Sequence, residues 1–196
     1  MDDVAARARV SKMTVYRHFG SKEDLFAGLI TDLCGRIVDA DLQSAFEHDE
    51  PYEALRRYAA RMIEIVFASD TVELHRIVIA ESKRFPSLGR FFYASGPQVC
   101  IDALVVYFQR HRGDPRFRID DPMRAAEEFL ELLRGYAHLR VLLKIESGPS
   151  QREIAARIDG AVRHVLNPQS LRLRGNGRFK PARASASAYS AKRDAR

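Results

Sequence analysis

The side chains best suited to chemistry crowd into one short stretch near the start of the chain. Between Ser11 and Lys22 stand Lys12, Thr14, Tyr16, Arg17 and His18, hydroxyl and cationic groups recurring at three- and four-residue spacing. Residues at that spacing are neighbours on the surface of a helix. Such a surface donates hydrogen bonds to phosphate oxygens and reaches base edges, as a helix seated in a DNA major groove must. Met13 lies among them, with an apolar end able to meet a thymine methyl or simply to fill space. Residues 1–22 hold five Lys or Arg against two Asp, so the stretch is locally cationic.

The elements that must hold this surface follow from the punctuation. A short helix is expected from about Asp3 to Ala8, then a tight turn at Arg9-Val10, then a second helix capped by Ser11 and ending near His18. Val4, Ala5, Ala8, Val10, Val15 and Phe19 are the apolar positions expected to lock the two helices, with the small Ala5 and Ala8 allowing close approach. Gly20 breaks the chain, and Ser21 with Asp24 reads as a cap for a longer helix reaching about Phe46. Pro51 opens the next, striped by Leu55, Tyr58, Ala59, Met62 and Val66. Further helices are expected from Thr71 to Phe85, from about Ser95 to Arg112, and from Pro122 to the Ser147-Gly148-Pro149 break. Ser150 caps the last, striped by Ile154, Ile158, Ala161, Val162 and Val165. Strand signals are nearly absent, so the fold class is all-α, an N-terminal helix-turn-helix followed by a helical domain.

Residues 4–26, V-A-A-R-A-R-V-S-K-M-T-V-Y-R-H-F-G-S-K-E-D-L-F, resemble the DNA-binding signature of the TetR family. Val4, Ala5, Ala8, Val10, Ser11, Thr14, Tyr16, Phe19, Lys22 and Leu25 fall on its pattern. The resemblance implies that Ser11, Lys12, Thr14, Tyr16, Arg17 and His18 contact double-stranded DNA, with Met13 beside them. Lys22 would hold a phosphate together with the amides of the helix it opens. Arg9 stands where the family usually has glycine; if that position needs positive φ, the side chain costs on the order of 1 kcal/mol. Residues 76–93, R-I-V-I-A-E-S-K-R-F-P-S-L-G-R-F-F-Y, are similar to AefR-like members of the same family.

The resemblance further implies a homodimer on a pseudo-palindromic operator, repression of transcription, and release when an effector binds among the central helices. The family's usual first helix has no counterpart before Met1-Asp2-Asp3-Val4. The expectation is therefore a helix-turn-helix short at its N-terminus, with weak DNA binding. Alternatives are a helical scaffold, a partner that draws a full-length relative into inactive heterodimers, or a small-molecule-binding helical protein with no role on DNA.

Within this frame Met62, His75, Phe85, Phe92, Tyr107 and Phe108 are candidates to line an effector pocket, the alternative for the aromatic residues being plain core. The helix opened by Pro122 is apolar over most of its circumference, which buries it on two sides. Its residues Leu132, Gly135, Leu139 and Leu143, with Ile158 and Val162 of the last helix, are candidates for a dimer interface.

Composition excludes other classes. The six His show no metal-ligand spacing, no nucleophile or phosphate-loop motif occurs, and no cofactor or metal is expected; the chain does not read as an enzyme. No run approaches the roughly 18 apolar residues of a membrane span, and no secretory leader opens the sequence, so the protein is expected in the cytoplasm without a membrane partner. Cys34 and Cys100 are far apart and expected to be buried small apolar groups. Of the 32 Lys and Arg, eight lie in residues 168–196 beside a single acid, so the net charge of +6 belongs to that segment and the rest of the chain is near neutral. Domain boundaries follow: 1–26 for the DNA-binding region, 27–167 for effector binding and dimerisation, 168–196 as a basic disordered tail.

Overall fold

A computed structural model of the protein describes residues 1–34 and 40–167. The basic segment 168–196 lies outside the described residues. Among those described, ten helices follow in order: α1 Asp2–Ala8, α2 Lys12–Phe19, α3 Lys22–Cys34, α4 Ala40–His48, α5 Pro51–Val66, α6 Ser69–Glu81, α7 Pro86–Ser95, α8 Pro97–Arg110, α9 Pro122–Leu142 and α10 Gln151–Val165. The all-α expectation holds.

Local chemistry explains most of the boundaries. Ser11 caps α2 by accepting from the Thr14 amide at 3.0 Å. Ser21 and Asp24 cap α3 reciprocally, each side chain accepting from the other's backbone amide at 3.0–3.1 Å. Ser150 and Glu153 do the same for α10, and Asp121 accepts from the Met123 amide at the start of α9. Each such cap is worth about 1 kcal/mol because it satisfies amides that the helix itself cannot.

Two boundaries differ from expectation. Helix α6 stops at Glu81 rather than Phe85, and residues 86–95 form a further helix that the sequence pattern did not suggest. Pro86 bars Phe85 from helical dihedrals (φ −127°, ψ 79°), yet proline is well suited to the first turn of the helix it opens. By length and composition alone, residues Pro86–Arg110 contain a stretch long and apolar enough to cross a membrane. They do not form one straight rod: Gly96 (φ −120°, ψ −86°) divides them into α7 and α8, which pack against α3 and α9.

Two apolar clusters hold the helices. The larger joins α5, α8, α9 and α10 around the fully buried Tyr58, Tyr107, Phe108 and Phe129. Burying side chains of this size contributes roughly 2–3 kcal/mol each. The Tyr58 hydroxyl donates to the Cys100 carbonyl at 2.9 Å, and Cys100 is itself buried. The smaller cluster joins Ile30 of α3, Leu74 and Val78 of α6 and Leu88 of α7, with Phe26, Phe85 and Phe92 packed against it. It is what connects the N-terminal helices to the rest.

Helix α1 ends in a Schellman motif: the Val10 amide donates to the Ala5 carbonyl and the Arg9 amide to that of Ala6. Arg9 is the residue this motif places in the left-handed region, at φ 55°, ψ 39°. An L side chain there costs on the order of 1 kcal/mol that glycine avoids. Arg9→Gly is therefore expected to stabilise the α1–α2 pair by about that amount, read as slower amide hydrogen exchange in residues 5–19; unchanged or faster exchange would count against it.

Candidate DNA interface and effector cavity

Helix α2 buries Val15 and turns its remaining surface outward. Lys12, Met13, Tyr16, Arg17 and His18 are exposed, Met13 at 76%. No acid lies within the helix, and its last turn carries Arg17 and His18. Lys12 is not idle: it pairs with Asp2 at 2.9 Å and ties α2 to the first residue of α1. That hydrogen bond holds the Lys12 ammonium above its ordinary range. Ser11 and Thr14 are joined through their hydroxyls at 2.8 Å, so both serve the cap as well as the outer face. The Lys22 side chain lies outside the described residues.

The packing beneath this surface is thinner than the sequence pattern suggests. Of the six apolar positions expected to lock α1 to α2, only Ala5 and Val15 are buried; Val4, Val10 and Phe19 stand 38–42% exposed, and Ala8 is also exposed. Two helices of two turns have only one inner residue each to bury against the other, and the remaining apolar positions need further cover.

The second site is a cavity of about 530 Å³ enclosed by α5, α6, α7, α8 and α9. Its wall is mostly apolar, with Met62, Leu74, Ile101 and Leu130 prominent. The polar groups are Thr71 and His75 on α6, Tyr93 on α7, and Glu127, Glu131 and Arg134 on α9, with Glu131 and Arg134 bound as an ion pair. Of the pocket residues expected from sequence, Met62, His75 and Phe92 line the cavity. Phe85, Tyr107 and Phe108 do not. Phe85 packs on the smaller cluster, whereas Tyr107 and Phe108 lie further along α8, fully buried against Phe117 and Phe129. Cys100 and Ile101, in the first turn of α8, supply the wall instead, a placement that depends on where α7 breaks.

His75 is the imidazole on the cavity wall. Its Nδ1 stands 2.9 Å from the Thr71 carbonyl, and its ring meets Phe92 and His138 edge to face, with centroids 4.8 Å and 5.0 Å away. His138 is only 8% exposed, and its Nε2 is buried without a hydrogen-bond partner among the described residues. Burial pushes its pKa down to about 4, helped by the neighbouring His75 and Arg134. Burial also lowers the pKa of His75, partly offset by the Thr71 carbonyl. Among the described residues no cluster of three His, Cys, Asp or Glu side chains forms around this pair, so it lacks the ligand set of a metal site.

The third surface is on α9 and α10. Leu132, Tyr136, Leu139 and Leu143 repeat at four- and three-residue spacing and are all exposed, Tyr136 at 79%. Gly135 plays a different part from the close helix contact expected of it. It breaks α9 with φ 47°, ψ −159°, and a Cβ there would lie 2.8 Å from Nη1 of Arg157, which reaches across from α10. Val162 is fully buried in its own subunit and Ile158 packs against the same cluster; the outer side of α10 carries Ala155, Ala156 and Gly160 instead. The sequence stripe of α10 is thus its inward face, because α5 and α9 already cover it.

The model for the N-terminal domain of bacterial regulatory proteins of the tetR family matches residues 1–29. The model for the C-terminal domain of AefR-like transcriptional repressors matches residues 53–167. The chain belongs to the TetR family. Solved structures agree. A TetR-family regulator from Mesorhizobium loti MAFF303099 superposes with a TM-score of 0.72 at 24% identity, covering 83% of this chain and 82% of its own. One from Pseudomonas syringae pv. tomato DC3000 gives 0.64 at 24% identity, over 83% and 81%. Both likenesses are of fold. FrrA, a flavonoid-responsive regulator, is 35% identical over 84% of this chain and 83% of its own, with a TM-score of 0.63. No curated protein sequence matches the chain. As a TetR-family transcription regulator, the protein has α1 and α2 as its DNA-binding helix-turn-helix and α5–α10 as its AefR-like domain.

The buried histidines make this regulator's stability depend on pH. His138 has a folded-state pKa near 4, below its ordinary 6.5, so protons bind the unfolded chain more readily. Stability is complete above about pH 6.5 and falls as the pH drops towards 4. The loss at pH 5 is expected to be about 2 kcal/mol. It should appear as a lower urea midpoint and be reduced in His138→Phe; an equal loss in that variant would assign the effect elsewhere.

Proposed function

We propose that this TetR-family regulator is a repressor that binds a pseudo-palindromic operator as a homodimer and leaves it when a small molecule fills the cavity. The observation that carries this reading is the position of α6. Thr71, Leu74 and His75 face the cavity, while Leu74 and Val78 pack on Ile30 of α3, the helix that follows α2 directly. A ligand that moves α6 therefore moves the mounting of the recognition helix, and the spacing of two such helices must match one turn of DNA.

Lys12, Met13, Tyr16, Arg17 and His18 are the groups set towards the bases and phosphates, with Ser11 and Thr14 at the helix start and Lys22 on a flanking phosphate. FrrA, the relative at 35% identity, responds to flavonoids. Together with the aromatic and apolar cavity wall, that favours a flat aromatic effector. The exposed stripe Leu132, Tyr136, Leu139 and Leu143 is the surface that a second copy would cover, with Ala155, Ala156 and Gly160 of α10 admitting its helices closely. The partners are thus operator DNA in the bacterial cytoplasm, an aromatic small molecule and a second copy of the chain.

Two experiments test this reading. An operator selected from a random DNA pool should bind the wild type with preference over random DNA. Arg17→Ala should weaken binding to all sequences and lower the salt slope by about one, as loss of one phosphate contact requires. Absence of any preference in the wild type would favour a helical small-molecule-binding protein with no role on DNA. For assembly, Leu139→Glu with Leu143→Glu should give folded monomers in sedimentation, whereas Val162→Glu should unfold the subunit by burying an unpaired charge. A monomeric wild type at micromolar concentration would rule out the dimer.

A further inference from the structure

The cavity's polar wall is specific about hydrogen-bond direction. A backbone carbonyl only accepts, so the short contact between His75 Nδ1 and the Thr71 carbonyl places the proton of a neutral imidazole on Nδ1. The other nitrogen, Nε2, is then a bare acceptor, and among the described residues no protein group donates to it. The ring cannot readily reverse these roles. It is boxed by the edge-to-face contacts with Phe92 and His138, and His138 is buried without a partner for its own Nε2. Protonating the ring is disfavoured by its burial and by the positive charge of Arg134. Of the two acids on the cavity wall, Glu127 and Glu131, the latter is engaged with Arg134.

We infer that the cavity selects a ligand presenting an un-ionised hydroxyl, phenolic or alcoholic, to Nε2 of His75, and that His75 is the residue that tells hydroxylated from unhydroxylated aromatic ligands. The inference rests on the cavity being the effector site. The rest of the ligand meets a mostly apolar wall, and about 530 Å³ accommodates a scaffold of two or three rings. A carboxylate or phenolate facing Nε2 would meet a lone pair. An analogue without the hydroxyl would leave a buried acceptor unpaired, which is the usual source of strong discrimination. His138 touches no ligand in this scheme. It is a positioning residue that holds the His75 ring from behind.

The test uses the purified full chain with flavone and its mono-hydroxylated derivatives, titrated calorimetrically near neutral pH. Wild type should bind at least one derivative about tenfold more tightly than flavone, the difference made by one good hydrogen bond to a buried group. In His75→Phe, with an unchanged circular dichroism spectrum, that ratio should fall to within about twofold while flavone itself still binds. His75→Gln, which keeps an acceptor, should recover part of it. Equal binding of flavone and all derivatives by wild type, or a preference that survives His75→Phe, overturns the role of His75 and leaves the effector cavity standing. Tighter binding of benzoate than of any derivative, lost in Arg134→Gln, overturns the hydroxyl assignment in favour of an anion. No binding of any of these compounds by wild type overturns both this inference and the aromatic-effector reading.

Discussion

Leu74 and His75 are adjacent in the chain, and a helix points adjacent side chains about 100° apart. That rotation places the imidazole in the cavity while Leu74 and Val78 reach the cluster around Ile30. The next residue, Arg76, donates from Nε to the Leu142 carbonyl at 2.8 Å and also bonds the Val141 carbonyl, closing the last turn of α9. Three consecutive residues of α6 thus face the helix behind the DNA reader, the ligand space, and the end of the helix that carries the exposed apolar stripe. Any rearrangement of α6 is felt in all three places, because packed interiors shift in discrete steps rather than deform continuously.

The two ends of the molecule differ in how firmly they are built. The AefR-like domain buries four aromatic rings and several leucines around α5, each contributing more than the strain at any one turn. The helix-turn-helix buries Ala5 and Val15, is stitched by the Ser11 cap and the Lys12–Asp2 pair, and carries the strained Arg9. An exposed ion pair such as Lys12–Asp2 adds little. A reader helix held this lightly depends on α3 and on the small cluster beneath it, which is also where movement of α6 arrives. In the proposed mechanism such low local stability is what lets the element move.

Charge is divided just as unevenly. The net +6 of the whole chain comes from residues 168–196, so it describes that segment and not residues 1–167. What equips α2 for phosphate is local: a helix without acids whose outer face carries Lys12, Arg17 and His18. In the cavity wall Arg134 is paired with Glu131, Glu127 adds a second acid, and burial disfavours a charge on His75. The first site suits a polyanion, and the second does not.

Much of this was legible in the sequence because it depends on neighbours along the chain. The caps at Ser11, Ser21 and Ser150, the tight turn at Arg9-Val10, the outward face of α2 and the core stripe of α5 follow from residue type and helical period alone. The helix α7 was not legible, since its opening proline reads equally well as a terminator. Nor was the cavity: Met62, His75 and Phe92 belong to it while Phe85, Tyr107 and Phe108 do not, although all are apolar or aromatic residues on helices. The division depends on where Gly96 breaks the chain and how α8 then lies on α9. Likewise Val162 and Leu139 carry the same apolar signal, yet one is sealed within the subunit and the other is exposed. Periodicity reports that a face is buried; only the packing of helices distant in sequence decides against what.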